Sequence, residues 1–331
     1  MRILYQPDEY AQQRQRDVKA RIYPVLLAME ATYYQDKGDC VYWDFPGGKF
    51  DKIIKEPENL PFLTLPIPDR ILTKYWEYQS GNYKYLPGTH IQAARDCWYH
   101  ACKFCAWAKK YPVCETRPVD LVIQEIAVCV KLGIREIFDD SGTFPVGEWL
   151  KGFCRKMVST GLNKKVTLGC NMRFGALDLE DFELMKKAGF RMILWGLESI
   201  NQSTLDKLNK GIRVEDVLIN LSISNNFGFW NHTAIMFGYP WEHKVDAQRT
   251  FDFIKTGLLT NKIQSAQASI YDVPECEVVP SYAFDLRKKV YQLYFHPRYI
   301  GHRVKEIKSW DDCKYYLRGI KLVWRKNVKK R

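Results

Sequence analysis

Thr89-His90-Ile91-Gln92-Ala93-Ala94-Arg95-Asp96-Cys97-Trp98-Tyr99-His100-Ala101-Cys102-Lys103-Phe104-Cys105 is the stretch on which the reading of this chain turns. A β-rich run near Thr89–Ala94 feeds a polar loop whose cysteines are spaced Cys-x4-Cys-x2-Cys. Three thiolates so close in sequence can converge on one metal centre. Cuboidal iron–sulfur clusters are normally held by four cysteine thiolates, so a set of three leaves one iron open to a small ligand. Spacing alone keeps zinc as an alternative, with His100 or Cys114 completing a tetrahedral structural set. Burial alone poorly explains three cysteines within nine residues of a polar loop.

Downstream of the loop, β-rich runs alternate with amphipathic stretches. Strands are expected at Glu136–Phe138, Val166–Leu168, Met192–Leu197, Thr233–Phe237 and Ala266–Ile270. Helices are expected at Val119–Leu132, Val146–Thr160, Leu179–Ala188, Val214–Asn225 and Val245–Leu258, with Gly133 and Gly189 as stops. With the strand before the cysteines this makes six strand–helix units, a pattern that calls for a parallel sheet covered by helices. Local periodicity leaves an open doubly wound sheet and a full or partial barrel both standing. In either, the strand C-termini form the functional rim, and there the sequence turns polar: Asp139-Asp140-Ser141-Gly142-Thr143, Cys170-Asn171-Met172-Arg173, Glu198-Ser199 and Gly238-Tyr239-Pro240-Trp241-Glu242. Each has a plain structural reading. Asp139 and Asp140 could cap the following helix, Glu198 could pair with Arg191 or Arg173, and Gly238 with Pro240 could make a turn.

Upstream, residues 1–85 read as a small α/β start: a strand at Arg2–Tyr5, a helix around Pro24–Asp36 and a strand at Cys40–Trp43. Pro57, Pro61, Pro66 and Pro68 then oppose regular structure, and Phe45–Pro87 is read as a linker packed on the main domain, residues 86–275. Residues 276–331 form a basic helical tail.

Of the net charge of +12, residues 281–331 supply nearly all, with fifteen Lys and Arg against four Asp and Glu. A solvated helical face is the plain reading of that tail; weak contact with phosphate, RNA or an anionic membrane is the functional one. At 46% apolar residues the chain can bury a sizeable core, and no apolar run approaches the ~20 residues that cross a bilayer. No charged-then-apolar leader opens the sequence, so a cytoplasmic location is the expectation. The other seven cysteines, Cys40, Cys114, Cys129, Cys154, Cys170, Cys276 and Cys313, share no ligand spacing and read mostly as small buried apolar residues.

Taken together, the residues resemble the radical S-adenosylmethionine (SAM) superfamily, in the branch where a cobalamin-binding-type domain precedes the radical SAM domain. The resemblance spans about Ala94–Ile270 and includes Phe104 before the last cysteine; the departure is the four residues between Cys97 and Cys102, where three are usual. It implies an α/β fold with a partial (β/α)6 TIM-like barrel, a truncated N-terminal α/β segment and a helical C-terminal tail. It implies a [4Fe–4S] cluster on Cys97, Cys102 and Cys105, with SAM chelating the open iron and split reductively to a 5′-deoxyadenosyl radical. Asp139, Asp140, Ser141, Gly142 and Thr143 match the loop that contacts the SAM amino group. Asn171 and Arg173 match the next strand end, Glu198 and Ser199 the strand near ribose and carboxylate, Gly238 the loop after the fifth strand, and Gln267 the sixth. Phe104 offers an apolar surface to adenine.

An external one-electron donor such as flavodoxin or ferredoxin is the implied partner. The chain lacks Asp-x-His-x-x-Gly, and its half-sized N-terminal segment has little room for a corrin, so the expectation runs against bound cobalamin without closing the question. After Ile270 the sequence departs from the family, with Tyr271-Asp272-Val273-Pro274-Glu275-Cys276 in place of a Pro-Tyr-Pro-Gly-like turn. Two other readings remain open: an iron–sulfur electron-transfer or nucleic-acid-binding protein that does not cleave SAM, and a zinc-stabilised structural protein. The substrate, the reaction type and the oligomeric state are not written in the sequence.

Overall fold

The computed structural model describes residues 1–7, 23–44, 49–58, 60–79, 81, 83–271 and 279–328. The departure noted at Asp272–Cys276 lies outside the described residues, as does Phe45 at the head of the proline-rich linker. Strands β1 (Arg2–Tyr5), β2 (Cys40–Trp43) and β3 (Lys52–Ile54) form a small parallel sheet in the order β2-β1-β3, with helix α1 (Val25–Asp36) between its first two strands. β3 lies inside the stretch expected to be linker.

The main sheet contains β4 (Gly88–Ile91), β7 (Glu136–Asp139), β8 (Thr167–Arg173), β9 (Phe190–Glu198), β10 (Trp230–Phe237) and β11 (Ser265–Ile270). Two short strands, β5 (Ala94–Arg95) and β6 (Glu115–Thr116), pair antiparallel and bracket the cysteine loop, so the expected strand through Ala94 breaks after Ile91. The crossovers carry α2 (Ala106–Lys110), α3 (Val119–Lys131), α4 (Glu148–Ser159), α5 (Leu179–Lys187), α6 (Gln202–Lys207), α7 (Val214–Asn226) and α8 (Lys244–Leu259). Then come α9 (Ser281–Gln292), α10 (Pro297–Lys305) and α11 (Trp310–Val328).

Strand order is β4-β7-β8-β9-β10-β11, and every neighbouring pair is parallel. A doubly wound sheet reverses direction partway; this one winds one way only, and the sheet curls into a half-barrel of six strands. Residues alternate between its faces. Ile137, Cys170, Ile193 and Ile235 join the main core beneath the helices. The opposite face lines the lumen. His90, Phe138, Gly169, Met192 and Trp230 form its lowest cross-strand row; Asn171, Leu194, His232 and Ser265 the next; Arg173, Gly196, Ala234 and Gln267 the third.

A half-barrel has two unpaired edges, each exposing backbone donors and acceptors that invite aggregation. Side chains finish both. On β4, Gln79 bonds the amide and carbonyl of Gly88, and Arg70 donates to His90 O at 3.1 Å. On β11, the Tyr294 hydroxyl bonds both Ala266 N (2.7 Å) and O (2.8 Å), and Tyr291 does the same at Ala268 (3.2 and 3.1 Å).

Buried charge ties the linker to this frame. Arg70 Nη2 lies 2.5 Å from Glu125 Oε1 on α3, and Arg117 takes the other oxygen; all three side chains are fully buried. The tail is not simply a solvated face: Arg303 is buried against Gln264 O and Asn261, and Arg318 donates to Tyr83 O (2.9 Å) and Lys84 O (3.2 Å). At the start of α11 Ser309 Oγ accepts from Asp312 N (3.2 Å), and Asp312 Oδ2 accepts from Lys308 N (2.9 Å) and the Ser309 hydroxyl (2.7 Å). Among the described residues, no helix is long and apolar enough to cross a membrane.

Candidate active site at the strand C-termini

The β5–β6 ribbon closes the cysteine loop at its base, and specific bonds hold the loop down on both flanks. Toward β7, Trp98 Nε1 donates to Phe144 O (3.3 Å) and Gly142 N to Asp96 O (3.1 Å). Toward the end of α6, Lys103 N donates to Leu208 O (3.0 Å), Tyr99 OH to Asn209 O (3.1 Å), and Asn209 Nδ2 to Ala101 O (2.8 Å). Asp96 and His100 adopt left-handed backbone (φ 76° and 50°), a conformation for which Asp and His are among the more tolerant non-glycine residues. Asp96 is fully buried, its carboxylate engaging His100 Nδ1.

Cys97, Cys102 and Cys105 are free thiols, each half-buried. Cys97 Sγ lies 3.1 Å from Thr143 Oγ1. The approach of the two loops depends on Gly142, where a Cβ would stand 3.0 Å from Cys97 Cβ and 3.1 Å from the Asp96 carbonyl carbon. Burial pushes the Cys102 thiol above its usual range; Lys210 and Arg173 oppose that, and Cys105 and Cys97 add to it. Among the described residues no three His, Cys, Asp or Glu side chains stand gathered around a single point as ligands of one ion. Three soft sulfur donors on one loop, two of them beside cations, are the donor chemistry that an iron–sulfur cluster requires.

Several polar residues of the rim shape loops rather than face the opening. Asp139 is buried, accepting from Ala93 N (2.7 Å) and Ser141 N (3.0 Å), and burial raises its carboxyl to about 7. Ser141 Oγ accepts from Ala94 N (2.8 Å), and its carbonyl from Asn171 Nδ2 (2.8 Å). Ser199 is buried in a network with Thr250 and Asn201. Neither Asp139 nor Asp140 caps the next helix: α4 follows Gly147 without any side-chain cap. Asp140 is buried at the end of β7, its amide bonded to Ile91 O at 2.9 Å.

Arg173 and Glu198 form no pair with each other. The Arg173 guanidinium sits 3.5 Å from the Tyr99 ring centroid and donates to the carbonyls of Lys210 and Gly211. Arg191 pairs instead with Glu136, at the opposite end of the strands. At the end of β9 the register slips, so that Ala234 faces Gly196 and Ile235 faces Glu198, skipping Leu197. This bulge leaves Glu198 at φ 66° with its carboxylate 3.1 Å from Lys210 Nζ. A Cβ on Gly196 would stand 3.0 Å from that ammonium.

Lys210 is buried and also stands 5.5 Å from the Phe104 ring, so it joins the cysteine loop to the β9 end. Sequence reasoning missed it. The turn Asn209-Lys210-Gly211, with φ of 51° and 62° at its flanks, was the available signal. Phe104 packs beside a cluster of Leu208, Tyr239 and Tyr271. Gly238, at φ 87°, donates its amide to Glu242 Oε2 (2.8 Å), and burial raises the Glu242 carboxyl to about 7. Gln267 is exposed on the lumen row of Gly196 and Arg173, at the wall of a cavity beside the C-terminal helices.

A one-way (β/α)6 half-barrel with a three-thiol loop after its first strand defines a class. Residues 91–254 match the family model described as the Radical SAM superfamily, and the chain belongs to that superfamily, a family of enzymes. A protein of Methanocaldococcus jannaschii, provisionally named a methylthiotransferase, is 25% identical over 239 residues, covering 69% of this chain and 51% of its own length. This chain thus spans about half the length of that relative. The radical SAM methyltransferase TsrM from Kitasatospora setae superposes with a TM-score of 0.50 at 17% identity, over 56% of this chain and 36% of that one. The cobalamin-dependent SAM radical enzyme OxsB gives 0.50 at 16% identity, over 75% and 34%. These two likenesses are of fold.

Proposed function

We propose that the chain binds a [4Fe–4S] cluster through Cys97, Cys102 and Cys105 and reductively cleaves SAM there. The observation that carries this is the loop itself, with three half-buried free thiols on the strand rim and the cations Lys210 and Arg173 beside Cys102. When bound and reduced, the cluster supplies the electron that divides SAM into methionine and a 5′-deoxyadenosyl radical, which takes hydrogen from a substrate.

The chain's own residues position and shield. Lys210, held by Glu198, suits a carboxylate, and Glu198 and Asp140 suit an ammonium or ribose hydroxyls. Phe104 offers its face to adenine. Asp139, Ser141 and Asn171 fix the loop that carries Gly142 and Thr143 against Cys97. Gly238 and Ser199 set the turns that flank this rim. The electron comes from an external donor of the flavodoxin or ferredoxin class. The small three-stranded N-terminal sheet gives a corrin little surface, so cobalamin stays the less favoured addition.

Anaerobic reconstitution with iron and sulfide, then dithionite and SAM, tests the reading. Four irons per chain and 5′-deoxyadenosine above a no-enzyme control are expected. A four-iron cluster with no nucleoside product, where a control enzyme works, supports the non-cleaving cluster protein instead. Zinc without iron or sulfide supports the structural reading.

A further inference from the structure

Beside β11, away from the cysteine loop, the tail encloses a cavity of about 540 Å3, within the range of small-molecule sites. Its walls include Trp230, Tyr294, Ile300, Val304, Leu317 and Ile320. The tyrosines present ring carbon rather than hydroxyls. Tyr291 and Tyr294 have turned their OH groups onto the β11 backbone, and Tyr299 donates to Gln264 O at 2.9 Å. Polar groups remain at the inner end, where Ser265 and Gln267 belong to the lumen face. His232 and Arg303 also reach its wall, so the cavity is predominantly apolar with a polar, cationic inner side.

Its mouth is apolar too. Val304, Trp310, Leu317 and Ile320 are 57–71% exposed, on two helices that also line the cavity. Such a contiguous exposed apolar surface marks a contact or ligand site. The charge beside it is one-sided. Lys314 Nζ stands 5.8 Å from the Trp310 ring, and Lys305, Lys308 and Lys321 lie beside the same residues in sequence. The nearby acids are engaged elsewhere: Glu306 with Arg303, Asp311 with Arg135, and Asp312 with Lys84. Among the described residues those four lysines form no ion pair within 4.0 Å, with Asp311 a more distant electrostatic neighbour of Lys314. A second copy docking by two-fold symmetry would bring lysine against lysine, which costs stability. An anionic ligand meets the charge instead.

We propose that this cavity binds the hydrocarbon chain of a monomeric anionic amphiphile, with its head at Lys314 and Lys321. The cavity contains none of the cluster cysteines and shares only Gln267 with the candidate SAM-contact residues. The test is calorimetric titration of the cluster-loaded full chain with laurate and dodecyltrimethylammonium, each below its micelle concentration, and with dodecanol below its solubility limit. Laurate saturates at one per chain and at least tenfold more tightly than either of the others. Lys314→Glu/Lys321→Glu weakens laurate at least tenfold, and Ile320→Asp removes binding, while circular dichroism and SAM cleavage without laurate stay unchanged. Equal affinity for all three chains, or indifference to the lysine reversals, overturns the proposal. So does sedimentation with phosphatidylglycerol vesicles without binding of monomeric laurate, which makes the face a membrane contact, or a dimer that dissociates on Ile320→Asp.

Discussion

The two ends of the half-barrel are made from the same six strands and differ in what they leave open: both hold paired charges, but only the C-terminal end carries the three free thiols. At the N-terminal end charges are matched pair by pair, Arg191 with Glu136 in the interior and Lys84 with Asp312 and the exposed Arg135 with Asp311 around it, above a packed Tyr83–Phe138–Met192 cluster. At the C-terminal end three thiols are left free, and Asp96, His100, Glu198 and Gly238 all hold positive φ. Of the described non-glycine residues at positive φ, Asp96, His100, Glu198 and Asn209 lie at this end and Asp44, Lys74 and Asn261 elsewhere. The contrast is what strand-end sites on parallel barrels lead one to expect.

Removing a rim thiol sharpens the contrast most. Cys97→Ala, Cys102→Ala or Cys105→Ala each drops 5′-deoxyadenosine formation to background, while the metal-free protein's urea stability moves by no more than about 0.5 kcal/mol, as for other partly exposed positions. A base-and-frame substitution does the reverse. Glu125→Ala leaves Arg70 and Arg117 buried without their shared carboxylate, and chemical denaturation should show a loss of about 3–5 kcal/mol.

The rim also makes stability depend on pH. Glu242 holds its proton to about 7 in the folded chain because it is buried, against about 4.5 for an ordinary glutamate. Between those values the folded state binds more protons than the unfolded, so stability is fully present below about 4.5 and declines as pH rises toward 7. Glu242 contributes at most about 3 kcal/mol of this decline, and because Asp139 and Glu30 are raised to about 7 as well, Glu242→Gln makes the fall between pH 5 and 7 shallower in urea titrations without abolishing it.

Within the rim, Lys210→Ala should weaken SAM binding about 10- to 100-fold and also lower the melting temperature, since it leaves the buried Glu198 carboxylate without its partner; Lys210→Arg, which keeps the charge, should restore more of the stability than of the binding. Smallest is Tyr294→Phe. It strips the hydroxyl from the Ala266 edge and should cost about 1 kcal/mol, measured by thermal unfolding.

The sequence carried the six-strand alternation and the cysteine loop because both depend on local pattern: apolar period, glycine stops at Gly133 and Gly189, and clustered thiols. Choosing barrel over doubly wound sheet needed strand order, which depends on which neighbours pair and not on any one segment. At the site, residue type was legible but direction was not. Asp139 and Ser141 looked like ligand contacts, yet their oxygens fold back on Ala93, Ala94 and the loop's own amides. Lys210 was missed for the converse reason. It lies twelve positions past Glu198, and only the fold swings its turn over Phe104. The tyrosine finish on β11 was equally hidden, since it joins the hydroxyls of α9 and the turn after it to a strand some 25 residues earlier.

The most direct measurement is electron paramagnetic resonance of the reconstituted, dithionite-reduced chain before and after SAM is added. An iron left open by Cys97, Cys102 and Cys105 predicts a reduced four-iron signal whose g-values shift when SAM binds, and no such signal in Cys102→Ala. A signal that SAM leaves untouched, or one that survives loss of Cys102, would contradict the account.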